Sequence, residues 1–355
     1  MIRIKISDFD LGQICDSGQC FRMYRIEQND IHVTGMEDEY EVVALDKYLR
    51  VGQNYLDCKD ANQAGDANVR EIVFSCDQGE YDNFWRDYFD IADTEVAMTN
   101  GITFNLDSSH HACNNSSYYS YIKSLVRSNP SDVFLNKAIE TGWGIRILNQ
   151  DLWEMIVTFL ISQQNNIPRI HKCIDNICKK YGQAIGNDKD KYSFPTPESL
   201  AYLEEDALME CNLGYRSKYV VRTARDIVDG KFDLEVIKQM DYLDARAELL
   251  KMYGVGVKVA DCICLFALHH LEAFPIDTHI NQVLAREYAE ETLTGKYAKE
   301  NNKVWAKEIE KSMTKGSGKS KPKTIPALPQ QLQPYTGVQG VIQQYIFYAE
   351  LQQSK

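Results

Sequence analysis

The chain has 355 residues, 44% of them hydrophobic, which is enough for two or three domains with cores of their own. No apolar run approaches the ~20 residues of a membrane span, and the start MIRIKISDFD lacks the apolar stretch of a secretory signal. An intracellular protein without membrane attachment is therefore expected, and a net charge of -12 argues against a uniformly basic nucleic-acid binder.

From residue 1 to about 129 the sequence reads as an antiparallel sheet domain. IRIKI alternates Ile2, Ile4 and Ile6 with Arg3 and Lys5, and IHV, EYEVVAL, KYLRV and EIVFSC are short β-rich runs separated by turn residues. DSGQCFRM, residues 16–23, reads as a turn leading into a strand. The stretch 94–119, rich in Ser, Asn, His and Tyr, has no core pattern and reads as a surface insertion. Its His110, His111 and Cys113 lack the spacing of a metal site. The ten cysteines are irregularly spaced, so reduced core residues are expected rather than disulfides.

Residues 130–355 read as helical. In DLWEMIVTFLISQQ, Leu152, Ile156 and Phe159 lie on one side and Trp153, Val157 and Leu160 on another, as in a buried helix. It ends in the polar cluster SQQNNIPRI, residues 162–170, which on its own would be a helix cap. NLGYRSKYV, residues 212–220, is a glycine turn followed by Tyr215 and Arg216; the tyrosine suits either a core or a wedge in a base stack.

The stretch 249–280, LLKMYGVGVKVADCICLFALHHLEAFPIDTHI, reads as helix, tight hairpin, helix, then a proline bend and a third helix. Gly254 and Gly256 permit a tight turn and close approach of a ligand, and the amides opening the second helix suit a phosphate. Lys258 falls in the first turn of that helix, where the helix dipole and partial burial disfavour an ammonium and favour a nucleophilic amine. Cys262 lies one turn on. Alone, Lys258 is a phosphate contact and Asp277 a helix N-cap. Residues 313–335, rich in Gly, Ser, Lys and Pro, read as a flexible loop, and 337–351 as a final helix with Gln343 and Phe347 on one face.

The charge is unevenly spread. Between Glu27 and Asp90 there are 16 acidic residues against 5 basic, whereas between Asn165 and Lys231 there are 10 against 11. A polyanionic partner is therefore expected at the middle of the chain and the hairpin.

GVGVKVADCICLFAL followed by FPIDTH closely resembles the helix-hairpin-helix, Gly/Pro-Asp superfamily of DNA glycosylases, and within it the 8-oxoguanine branch. The resemblance implies an α+β fold, an amino-terminal antiparallel sheet followed by two mainly helical lobes. It implies a monomer acting on duplex DNA with 8-oxoguanine opposite cytosine, with no metal or organic cofactor. Lys258 becomes the nucleophile and Asp277 the carboxylate that stabilises positive charge on the sugar. The lesion pocket takes Gly18, whose carbonyl accepts the N7 proton, with Cys262, Phe266, Gln343 and Phe347. Gln164, Asn165, Arg169, Tyr215 and Arg216 face the vacated base site and the opposite base, and Gly254, Gly256 and His279 the phosphates. Gln164 departs from the asparagine of relatives, and Phe266 from their methionine. No cysteine follows Cys264, so the four-cysteine iron-sulfur cluster of some superfamily members is missing. Two other readings stay open: a glycosylase for another damaged base, such as alkylated purines, and a noncatalytic DNA-binding module.

Overall fold

The structure, a computed structural model, describes residues 1–27, 30, 32–55, 69–91, 98–99, 102–103, 118–186, 190–288 and 328–353. The chain divides into two compact units, the first comprising Met1–Asp151 with Ile167–Pro195, the second Leu152–Asn166 with Thr196–Lys355.

The first unit is built on a five-stranded antiparallel sheet in the order β1-β5-β4-β3-β2, with β1 Ile2–Ser7, β2 Met23–Arg25, β3 Asp38–Ala44, β4 Lys47–Tyr55 and β5 Val69–Phe74. The expected alternation holds in β1, where Arg3 and Lys5 are exposed and Ile6 is buried. Register is set by apolar cross-strand pairs such as Ile4 with Ile72, Val42 with Leu49 and Val51 with Phe74. Phe9, Leu11, Ile14, Trp85 and Phe89 complete the core against it.

Some expectations need correction. Val33 of IHV lies outside any strand, because Glu39 takes the backbone amides of Val33 and Thr34 into a turn. LGQICD, residues 11–16, is a helix capped by Asp10, its two apolar anchors too few to show a period. Most of the 94–119 stretch, with His110, His111 and Cys113, lies outside the described residues, but its end opens the helix Tyr118–Arg127, where Tyr119 is fully buried. Of the expected loop 313–335, the part from Gln330 to Tyr335 forms a 3-10 turn with Leu332 and Tyr335 buried, since these apolar side chains outweigh the proline-rich composition. The final helix runs Gln339–Gln353.

Helices make up the second unit. Leu152–Ser162 is apolar nearly all round and buried from Leu152 to Ile161, and it packs against the helix Val257–Phe266. No described helix is long and apolar enough to cross a membrane.

A buried ion pair ties the helix Tyr118–Arg127 to the end of β1. Lys123 Nζ lies 2.6 Å from Asp8 Oδ1 and also bonds the Trp143 carbonyl, while Ser120 donates to the same Asp8 carboxylate. Burial pushes the Lys123 ammonium down to about 8 against the pull of Asp8. Burial would raise Asp8, but Lys123 and Ser120 together hold it below its ordinary value. Breaking such a pair strands a buried charge. Lys123→Met is expected to lower the unfolding free energy by about 3 to 5 kcal/mol in a urea titration, and a loss below about 1 kcal/mol would mean that Asp8 is adequately served by Ser120.

Candidate active site

The hairpin begins with the helix Tyr242–Leu249, capped by Asp241, and continues into Val257–Phe266. Gly254 is required on two grounds. Its φ is +88°, and a Cβ there would stand 2.8 Å from the ring of Tyr219. Gly256 caps the second helix and borders open space, so the amides of the first turn are not walled off on that side. Inside the hairpin, the buried Asp261 carboxylate accepts from Arg246 Nε at 2.6 Å and from the Tyr242 hydroxyl at 3.0 Å.

Lys258 is half-buried in the first turn, with Nζ 5.2 Å from the centre of the Phe159 ring. Phe159 in turn stacks on Phe266, with centroids 5.6 Å apart and planes 17° from parallel. Sequence reasoning put Phe159 in the core of its helix and missed its place beside the amine. Cys262, one turn beyond Lys258, is buried. Burial pushes its thiol up to about 11 against a hydrogen bond and positive charge from Lys258, and the negative charges of Asp261 and Asp277 add to the rise. Lys258 and Asp277 thus both contribute to the electrostatic surroundings of Cys262.

Asp277 is half-buried and caps the helix Thr278–Glu287, with Oδ1 accepting from the Ile280 amide at 2.8 Å. The cap reading thus describes one oxygen of this residue. His279 is exposed on the same first turn. Arg286, later in that helix, forks onto Glu350 of the final helix at 3.2 and 2.8 Å.

The start of the final helix is pressed onto the chain that follows the hairpin. Gly340 N–H donates to the Leu271 carbonyl at 2.7 Å, and a Cβ on Gly340 would meet Leu265 at 2.5 Å. Gln343 follows one turn later. Taken apart from the resemblance it would be a surface amide, but it is 4% exposed and accepts from Gln344 Nε2 at 3.0 Å. Phe347 is half-buried.

The polar turn after Leu152–Ser162 carries Gln163 to Asn166. Gln164 is exposed at φ +49°, a conformation in which asparagine is enriched and glutamine is not. Asn165 Nδ2 bonds the Ile161 carbonyl at 3.1 Å. Tyr215 is 45% exposed and its hydroxyl lies 3.5 Å from Gln164 Oε1. Arg216 does not present itself as an exposed base reader. It is 4% exposed, and its guanidinium donates to the carbonyls of Gln163, Gln164 and Leu213. Three carbonyls gathered at a turn outcompete solvent for the fork, which no local pattern in NLGYR announces.

Gly18 and Arg169 belong to the first unit. Gly18 has φ +74°. The residue after it, Gln19, is fully buried and uses its amide completely: Nε2 donates to Ser17 Oγ and to the Arg146 carbonyl, both at 2.8 Å, and Oε1 accepts from Leu148 N–H at 2.9 Å. Gln150 Nε2 holds the Gln19 carbonyl. Arg146 is itself buried and bonds the carbonyls of Ser7, Asp8 and Asp90. Arg169 is exposed in the first turn of the helix Ile167–Tyr181. Among the described residues no group of three or more His, Cys, Asp or Glu is placed to hold a metal.

Residues 1–156 match the N-terminal domain of 8-oxoguanine DNA glycosylases, and residues 157–307 match the HhH-GPD superfamily of base excision DNA repair proteins. The chain belongs to the HhH-GPD superfamily. It is 39% identical over 158 residues to the N-glycosylase/DNA lyase of Saccharomyces cerevisiae, covering 41% of this chain and 42% of the yeast protein. It is 34% identical over 146 residues to N-glycosylase/DNA lyase OGG1 of Arabidopsis thaliana, covering 39% and 40%. The matched part thus spans less than half of each of these relatives. Over the whole fold it is similar to the Clostridium acetobutylicum 8-oxoguanine glycosylase/lyase, solved with double-stranded DNA containing cytosine opposite 8-oxoG. That match has a TM-score of 0.68 and 28% identity, and covers 98% of this chain and 94% of that one.

For an HhH-GPD protein the inward course of Arg216 has a measurable consequence. Arg216→Ala would take a charged donor from three carbonyls, one of the bonds buried and two partly so, and is expected to cost about 1 to 3 kcal/mol of stability in urea. An exposed residue serving only as a DNA contact would cost less than about 0.5 kcal/mol.

Proposed function

We propose that the chain is a bifunctional DNA glycosylase/AP lyase that removes 8-oxoguanine from duplex DNA. The observation that supports this most is the half-buried amine of Lys258, in the first turn of the second hairpin helix with its Nζ 5.2 Å from the Phe159 ring and the buried Cys262 one turn on, at the hairpin of an HhH-GPD chain. The match of residues 1–156 to the 8-oxoguanine glycosylase N-terminal domain supports this lesion over alkylated purines.

The reaction begins with the damaged nucleotide turned out of the stack, at a cost of a few kcal/mol. Gly18 offers its carbonyl to the N7 proton that 8-oxoguanine has and guanine lacks, so guanine would leave that acceptor unmet. Gln343 bonds the Watson-Crick edge and Phe347 stacks on the plane. The Nζ lone pair of Lys258 then forms a bond to C1′ as the glycosidic bond breaks, and the base leaves with that electron pair and takes up a proton. Asp277 stabilises the positive charge that develops on the sugar. Ring opening gives a Schiff base, loss of a C2′ proton follows, and the 3′ phosphate departs by β-elimination. On the other strand, Tyr215 fills the gap, and Arg169 and Gln164 address the partner base, with cytosine preferred. Arg216 serves through the turn it holds.

Lys258→Gln is expected to abolish both base release and borohydride trapping on an 8-oxoguanine duplex, with duplex binding retained. Normal trapping by that variant would assign the nucleophile elsewhere. Asp277→Asn separates two roles of one residue, since asparagine caps a helix about as well as aspartate. The variant should melt close to the parent but excise with a barrier about 2 to 4 kcal/mol higher in single turnover. An unchanged rate would leave Asp277 with the cap alone.

A further inference from the structure

Two connections run from the turn that carries Gln164 to the hairpin that carries Lys258. The first is polar. Gln163 Nε2 donates to the carbonyl of Gly254 at 3.1 Å, and the Gln163 carbonyl is gripped by Arg216, so side chain and backbone of this residue are held from opposite ends. The second is apolar. Tyr219 meets Tyr215 edge-on at 5.6 Å and Tyr253 edge-on at 5.3 Å, and the face that Gly254 leaves bare lies against its ring. Both connections end at Gly254, four residues before Lys258 in a turn whose φ of +88° allows little other choice of backbone. A shift of the turn at Gln163 and Gln164 cannot be absorbed by solvent between the two, because the Gln163 amide and the Tyr219 ring occupy the space.

We propose that Gln163 is a positioning residue that makes the opposite-base turn and the catalytic hairpin one mechanical unit, so that the partner base is sensed in the rate of the Lys258 step. This rests on the glycosylase reading and deepens it. A cytosine that satisfies Gln164 leaves the turn where it is. A partner base with a mismatched edge displaces the turn, pulls on the Gly254 carbonyl and moves the amine off line, and a misplacement of that kind is felt steeply in rate. Gln163 and Gly254 lie in the same unit of the chain, so the coupling requires no motion between units.

The test uses the full chain and Gln163→Met, which keeps length and removes the donor. Single-turnover release of 8-oxoguanine is measured opposite cytosine and opposite adenine, with urea stability alongside. The expected result is a fall in the cytosine-to-adenine rate ratio by about threefold to tenfold, the range for loss of one hydrogen bond. A merely structural role would lower both rates together and leave the ratio at the parental value, and that result overturns the proposal. Gln163→Glu, isosteric but facing the carbonyl with an acceptor, should reduce the ratio at least as far, and it carries the test if the methionine variant does not fold. A parent that releases no 8-oxoguanine overturns the glycosylase reading together with this one. A parent that releases it with a ratio unchanged by either variant overturns this one alone.

Discussion

The hairpin depends on one buried charge. Asp261 sits in the middle of the helix that carries Lys258 and Cys262, where an ionised carboxylate is tolerated only if its partners come with it. Those partners are Arg246 and Tyr242, both on the preceding helix. Burial raises the Asp261 carboxyl and Arg246 opposes the rise. The pair therefore sets how one helix is rotated against the other, because any rotation would separate Asp261 from these two donors. Rotation is the variable that decides which way Lys258 faces, and a phosphate-binding turn at Gly254 and Gly256 would have little value for chemistry without it.

The Gly18 segment solves a related problem with neutral and cationic groups. On the proposed reaction the Gly18 carbonyl discriminates one proton on a base and must not drift, yet glycine at φ +74° is the residue least able to hold itself still. The rigidity is supplied by the neighbour. Gln19 is anchored to residues 146 and 148, far along the chain, and Arg146 ties that anchor to the end of β1. Two fully buried polar side chains with every bond assigned cost less than the same groups left partly unmet.

This division explains what could be read from sequence. Strands and the helix Leu152–Ser162 were legible because periodicity is a local property that burial reads directly, as in Ile2, Ile4 and Ile6 or Leu152, Ile156 and Phe159. The hairpin was legible because only glycines fit Gly254, and Gly-x-Gly before a lysine is a compact signal. Gln19, Arg146, Asp261 and Gln163 were not, since a glutamine or arginine in the text carries no sign of whether distant carbonyls await it. Arg216 shows the same blindness in sharper form: its neighbour Tyr215 is exposed, while Arg216 turns inward to bond Gln163 and Gln164, 52 or more residues upstream. The helix ending at Arg127 was hidden because Tyr119 at its start sits in a polar stretch.

On the proposed reaction, the environment of Lys258 also decides between two candidate nucleophiles. A thiolate is intrinsically the better attacker, and Cys262 stands one turn from the lysine with access to the same charges. Burial pushes that thiol up to about 11, so at neutral pH the sulfur is a protonated, weakly polar wall. The Phe159 ring beside the amine, with Phe266 stacked on it, adds apolar surface with 2% and 3% exposure, which keeps water from that side and lowers the local dielectric. In such surroundings a carboxylate acts over distance with far greater effect than in water. On the proposed reaction the consequence is a division of labour. Cys262 shapes the pocket without reacting, Phe159 gives the amine an apolar wall with Phe266 stacked behind it, and the amine of Lys258 is left as the group to form the bond to C1′.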